Sequence, residues 1–196
     1  MSSSHPHAVG GGCDAVAAVL ADPPPQALDA PTPCSAFDLR ALVGHFVGTS
    51  GALARLGLDQ PLDPDDPWGG GAGAAEGDWP GVVRANLADL ARGWGRAEAW
   101  SGEAQVGGSV LPRAMLGEMA LVEVVAHGWD VARALGRTLE LPPPAAEAVE
   151  EAVAATAALG RQMGAYGPEV PVPAGAPALD RALAQAGRDP RWTPSR

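Results

Sequence analysis

The chain of 196 residues contains no lysine and no isoleucine, only two cysteines, two phenylalanines and a single tyrosine. These shortages exclude several classes of protein. All 13 basic residues are arginine, scattered along the chain, and the formal net charge is −10 at pH 7. There is therefore no basic patch for nucleic acid or for an anionic membrane surface. Cys13 and Cys34 are too few for a disulfide scaffold, so free thiols in a cytoplasmic protein are expected. No apolar run reaches the roughly 18 residues of a transmembrane helix. The N-terminus, MSSSHPHAVGGG, lacks the basic and then apolar regions of a signal peptide. No internal repeat is present, and the length suits one domain with a proper core.

Glycine and proline, by contrast, are abundant, with 26 and 20 copies. Together with arginine in place of lysine, they match the codon usage of a GC-rich genome, so glycine and proline tracts count for little as functional signals. The run GGGAGAAEG at 69–77 lacks the G-x-G-x-x-G spacing, a preceding strand and a following Lys-Ser or Lys-Thr. It is not read as a phosphate loop. A flexible loop is expected there, with a flap beside a pocket as the alternative reading.

Apolar periodicity predicts helices over about 7–21, from Ser35 to Gly57, over 79–100, over 116–136, from 142–144 to about 159, and over 179–186. Ser35 and Asp38 form an S-x-x-D capping box at the second start, and Gly57 is a stop. His5 and His7 fall in a terminus expected to fray. Residues 101–112 fit either a short hairpin or an extended crossover. The prolines of YGPEVPVPAGAP predict an extended segment. The class is all-α, most simply a four-helix bundle with an extra C-terminal helix and an extended tail; the expected division is a bundle over 1–170 and a tail with a short helix over 171–196.

The stretch LGEMALVEVVAHGWDVARALG, 116–136, is apolar almost all the way round, as befits a buried central helix. Yet Glu123, His127 and Asp130 lie within it at i, i+4 and i+7, on one face. His45 lies in the apolar run of the second helix. A carboxylate and an imidazole four residues apart, joined by an imidazole from a neighbouring helix, give three ligands with a position left open, the pattern of catalytic zinc. Asp130 can orient a ligand or transfer a proton. The competing reading is a buried Glu–His hydrogen-bonded pair in a packed core. Cys34, just before a helix, is read as a small packing residue, with a nucleophile or fourth ligand as the alternative. Trp94, Trp100 and Trp192 are read as core or staple residues, and Trp129 as a candidate pocket wall.

Two segments carry a family resemblance: TPCSAFDLRALVGH at 32–45 and EVVAHGWDVARALG at 123–136. They resemble the mycothiol-dependent maleylpyruvate isomerase-like, DinB-related metal-binding proteins of actinobacteria. The end, YGPEVPVPAGAPALDRALAQAGRDPRW, is similar to the tail of a short branch of that family. Phe37 stands where the family usually has Trp, a change of packing rather than ligation. The chain is expected to lack the second domain of the full-length isomerases.

The resemblance implies a four-helix bundle holding a divalent ion, usually zinc, through His45, Glu123 and His127, with Asp130 an acidic neighbour. It also implies mycothiol or another low-molecular-weight thiol as partner, and a small electrophilic metabolite as substrate of an isomerase, S-transferase or lyase. A non-catalytic metal-binding or sensor protein of the same fold is the other function considered. The resemblance assigns no thiol-binding residues; by helix position alone, Arg84, Arg92 and Arg96 are candidates near the pocket. A homodimer through exposed helical faces is compatible with the pattern.

Overall fold

The computed structural model describes residues 5–23, 27–69 and 77–194. The glycine-rich run expected to form a loop or flap falls, over 70–76, outside the described residues. The elements are α1 (His5–Val19), α2 (Leu39–Gly57), α3 (Trp79–Trp94), the strands β1 (Glu103–Val106) and β2 (Ser109–Pro112), α4 (Arg113–Ala134), α5 (Pro143–Gln162) and α6 (Ala178–Gln185). A 3-10 turn, Ala97–Trp100, follows α3. Among the described residues no helix is long and apolar enough to cross a membrane.

The four helices α1 to α4 form the bundle. Both α1 and α2 pack against α3 and α4, which leaves α3 and α4 nearly diagonal to one another. α5 covers α1 and α4, and α6 packs on α5. At the centre lies α4, with Leu116, Ala120, Leu121, Val124, Val125, Val131 and Ala132 almost fully buried. Its all-round hydrophobicity follows from having neighbours on every side.

The glycines at 10–12 do not delay α1, because the helix is held by packing rather than propensity. A Cβ on Gly12 would meet Val125 at 3.2 Å, and one on Gly128 would meet Val16 at 2.5 Å. Small residues let α1 and α4 approach at this crossing. His5 is not frayed: its ring stacks on Trp100 at 5.6 Å and lies 3.5 Å from Glu151.

The capping residue of α2 differs from expectation. Asp38, not Ser35, is the cap, its Oδ1 accepting from the Ala41 amide at 2.8 Å. Ser35 lies in the preceding turn, closed by an isolated bridge between Pro31 and Asp38. α3 ends at Trp94 rather than 100, and the indole of Trp100 turns back to donate to the Trp94 carbonyl at 2.7 Å. The 101–112 segment is an antiparallel hairpin with Glu103 opposite Pro112 and Val106 opposite Ser109. α4 starts at Arg113, earlier than the apolar pattern shows, because Arg113 is buried and donates to the carbonyls of Ala99 and Leu56, both at 2.7 Å.

Candidate metal centre

His45 projects from α2 toward α4. Its Nε2 lies 2.9 Å from Glu123 Oε1, and His127 Nε2 lies 3.3 Å from the same oxygen. Ligating atoms of all three residues fall within 4.8 Å of one another. The imidazoles of His45 and His127 meet edge to face, centroids 5.0 Å apart, and Phe37 stacks on His45 at 5.2 Å. The aromatic residue at position 37 thus fixes the ring of a candidate ligand. Thr49, one turn after His45, sends its hydroxyl to the His45 carbonyl at 2.9 Å and to Glu123 Oε1 at 3.3 Å.

Behind the trio lies a second layer. His127 Nδ1 is 3.0 Å from Asp130 Oδ2, and Asp130 is completely buried. Arg188 Nη2 donates to the same oxygen at 3.1 Å, and its Nη1 donates to the Ala186 carbonyl at 3.0 Å. An ionised Asp130 accepts the Nδ1 proton of His127 and leaves the Nε2 lone pair turned toward Glu123. Neutral His127 and ionised Glu123 then confront one another as two acceptors. A proton or a cation resolves that conflict.

Without a metal, a proton does so. Burial opposes charge on His127, but Glu123 and Asp130 override it and raise its pKa to about 10. Burial likewise opposes ionisation of Glu123, yet the two imidazoles hold its carboxyl well below the usual carboxylate range.

These groups open onto a cavity of about 280 Å³, lined also by Cys34, Ala126, Ala165, Tyr166 and Arg188. Tyr166 bonds to Thr156 at 3.1 Å. Because the Thr156 hydroxyl donates to the Ala152 carbonyl at 2.8 Å, the phenol supplies the proton between them. Its oxygen remains an acceptor, and burial raises its pKa further.

Arg188 and Tyr166 carry no sequence pattern of their own. Arg188 is delivered by the end of α6, where Gly187 at φ 83° turns the chain. The Gly187 amide reaches the Ala184 carbonyl at 3.0 Å and the Arg188 amide reaches Leu183 at 2.9 Å, a Schellman closure. That closure was the available signal, as a glycine after an apolar helix, but it says nothing of where Arg188 points.

The arginines proposed from helix position do not line this cavity. Arg84 is exposed, Arg92 pairs with Asp89 at 2.9 Å on the surface, and Arg96 donates to the Gly57 carbonyl at 2.8 Å. They stand on or just after α3, diagonal to α4, and Arg96 caps the end of α2 instead. Trp129 does not line it either. It is buried in the core with the Arg133 guanidinium 5.9 Å from its ring centroid.

Residues 9–132 match the family described as Mycothiol maleylpyruvate isomerase N-terminal domain. The chain belongs to this family. Its all-α bundle is the DinB-like fold of such domains, and the matched stretch includes His45, Glu123, His127 and Asp130. The chain is also 31% identical over 189 residues to two uncharacterized proteins of Mycobacterium tuberculosis, one from strain CDC 1551 / Oshkosh and one from strain ATCC 25618 / H37Rv. Each alignment covers 91% of this chain and 94% of the relative. No solved structure matches the chain.

Proposed function

We propose that this mycothiol-related, DinB-like protein binds a divalent metal ion through His45, Glu123 and His127, and uses it with a low-molecular-weight thiol on a small electrophilic metabolite. The reaction class is isomerisation, S-transfer or lyase chemistry, and mycothiol is the thiol the family points to. The observation that carries the reading is the convergence of three ligating atoms within 4.8 Å on a cavity wall. Two imidazoles and one carboxylate suit zinc and leave a coordination position open.

When bound, a divalent ion lowers the pKa of a coordinated thiol enough to supply thiolate at neutral pH. The chain's own residues do the rest. Asp130 accepts from His127 Nδ1 and so turns Nε2 toward the position the ion would take, with greater basicity. Arg188 pairs with Asp130 and holds it in place. Asp130 is wholly buried, so it acts through His127 rather than on substrate. Phe37 and Thr49 restrain His45 and Glu123. Val122 and Ala126 give the cavity apolar walls that limit water and strengthen electrostatic contacts inside.

Metal analysis of untagged protein tests the first half. A stoichiometric ion, lost in His127→Ala, is the expected result, and no uptake under any loading condition would remove the proposal. For the second half, mycothiol is added to the cobalt-substituted protein. A thiolate-to-cobalt absorption band is expected, and an unchanged spectrum with metal present refutes the thiol role.

A further inference from the structure

Among the described residues, Val82, Val110, Leu159 and Met163 are large apolar side chains that stand exposed. Val82 and Val110 lie singly on α3 and β2, as surface residues commonly do. Leu159 and Met163, 42% and 74% exposed, lie one turn apart on the last stretch of α5. Ala154, Ala155, Ala158 and Gln162 are exposed beside them. At helical spacing these six fall in two adjoining rows, Ala154–Ala158–Gln162 and Ala155–Leu159–Met163. None carries a charge.

The charges that border this face are engaged elsewhere. Arg161 donates to the Gln185 carbonyl at 3.0 Å, Glu150 takes the Arg181 guanidinium at 2.6 Å, and Glu151 lies 3.5 Å from His5. A chain of net charge −10 thus carries an uncharged strip about three turns long. Two such chains repel wherever acidic surfaces meet, and along this strip they approach at least cost.

The strip is also complementary to itself. A two-fold axis crossing between Ala158 and Leu159 sets two copies of α5 antiparallel. It places Leu159 of each copy opposite Ala158 of the other, Met163 opposite Ala154, and Gln162 opposite Ala155. Every large side chain then meets a small one, and does so twice, as an isologous contact requires. Glu147 and Glu151 fall beyond the end of the other copy's helix.

We propose that this strip of α5 binds a second copy of the chain as an antiparallel α5–α5 pair. Gly164 and Ala165, which follow Met163, line the cavity of the candidate metal centre, so the contact lies beside its mouth. Six residues a side are fewer than a standard interface uses, so dimer and monomer are in equilibrium. Salt screens the repulsion between like-charged chains, and the association therefore tightens with salt, opposite to a contact made by ion pairs.

Sedimentation velocity on the full chain, from about 5 to about 500 µM, tests this. The weight-average sedimentation coefficient should rise with concentration, and more steeply at about 0.5 M than at about 0.02 M salt. Met163→Glu should weaken association at least about tenfold with an unchanged circular dichroism spectrum, because the position is exposed in the monomer. Val82→Glu on α3 should leave it unchanged. Under mild oxidation Ala158→Cys, beside the axis, should give a disulfide-linked dimer mapped to position 158, and Val82→Cys should not. A monomer throughout the range would overturn the proposal and leave the strip to a different partner or to solvent. So would association that survives Met163→Glu, weakens with salt, or cross-links through Val82→Cys instead of Ala158→Cys.

Discussion

Replacing Arg188 by methionine should destabilise the protein severely, through one buried carboxylate. Arg188 is 6% exposed and Asp130 is fully buried. The guanidinium donates to Asp130 Oδ2 at 3.1 Å and to Oδ1 at 3.5 Å, and its Nη1 donates to the Ala186 carbonyl at 3.0 Å. Methionine keeps much of the volume but leaves Asp130 with His127 Nδ1 as its one remaining side-chain partner. Breaking a buried ion pair by removing one member costs about 3–5 kcal/mol, because the other charge stays buried. That is a large share of the roughly 5–15 kcal/mol that holds a domain together. The assay is urea unfolding of the metal-free protein at pH 7, compared at equal slope. Adding Asp130→Asn should recover at least about 1 kcal/mol, since an amide oxygen still accepts from His127 and no unpaired charge is left. An Arg188→Met variant within about 1 kcal/mol of wild type, or strictly additive losses in the double variant, would refute the argument that the pair is electrostatically coupled.

Two further consequences concern the trio and the helix crossing. His127 is raised to about 10 in the folded metal-free protein from an ordinary value of 6.5. Its contribution to stability is therefore complete below about pH 6.5 and is lost as pH rises toward 10, at up to about 1.4 kcal/mol per unit. Denaturation at pH 7 and pH 9.5 should show that fall, and His127→Gln should flatten it; a flat wild-type profile counts against the proton as the cation between His127 and Glu123. Gly128→Ala would place a methyl 2.5 Å from Val16. It should cost about 1–3 kcal/mol in thermal or urea unfolding, with part of the loss recovered by Val16→Ala. If Val16→Ala gives no recovery, the crossing of α1 and α4 is not what requires glycine.

Much of this organisation is legible in the chain itself. Helical periodicity locates the six α-helices of the described residues, because a buried face repeats on the helical turn whatever it packs against. The errors fall at ends, where side chains from elsewhere decide. α4 begins at Arg113 because the carbonyls of Ala99 and Leu56 need its donors, and those lie far away in sequence. Arg84, Arg92 and Arg96 were placed by helix position alone, and helix position does not say which bundle partner is diagonal.

The sequence by itself determined that His127 and Asp130 share a face with Glu123, since i, i+4 and i+7 must align on any α-helix. It also determined that this face would be buried, since the surrounding residues are apolar on every side. Only the tertiary structure decided that His45 meets Glu123 at 2.9 Å, across 78 residues of chain. It likewise decided that Arg188, 58 residues beyond Asp130, closes the second layer. Contacts between distant segments depend on how helices cross and where a tail folds back, and no local spacing encodes either.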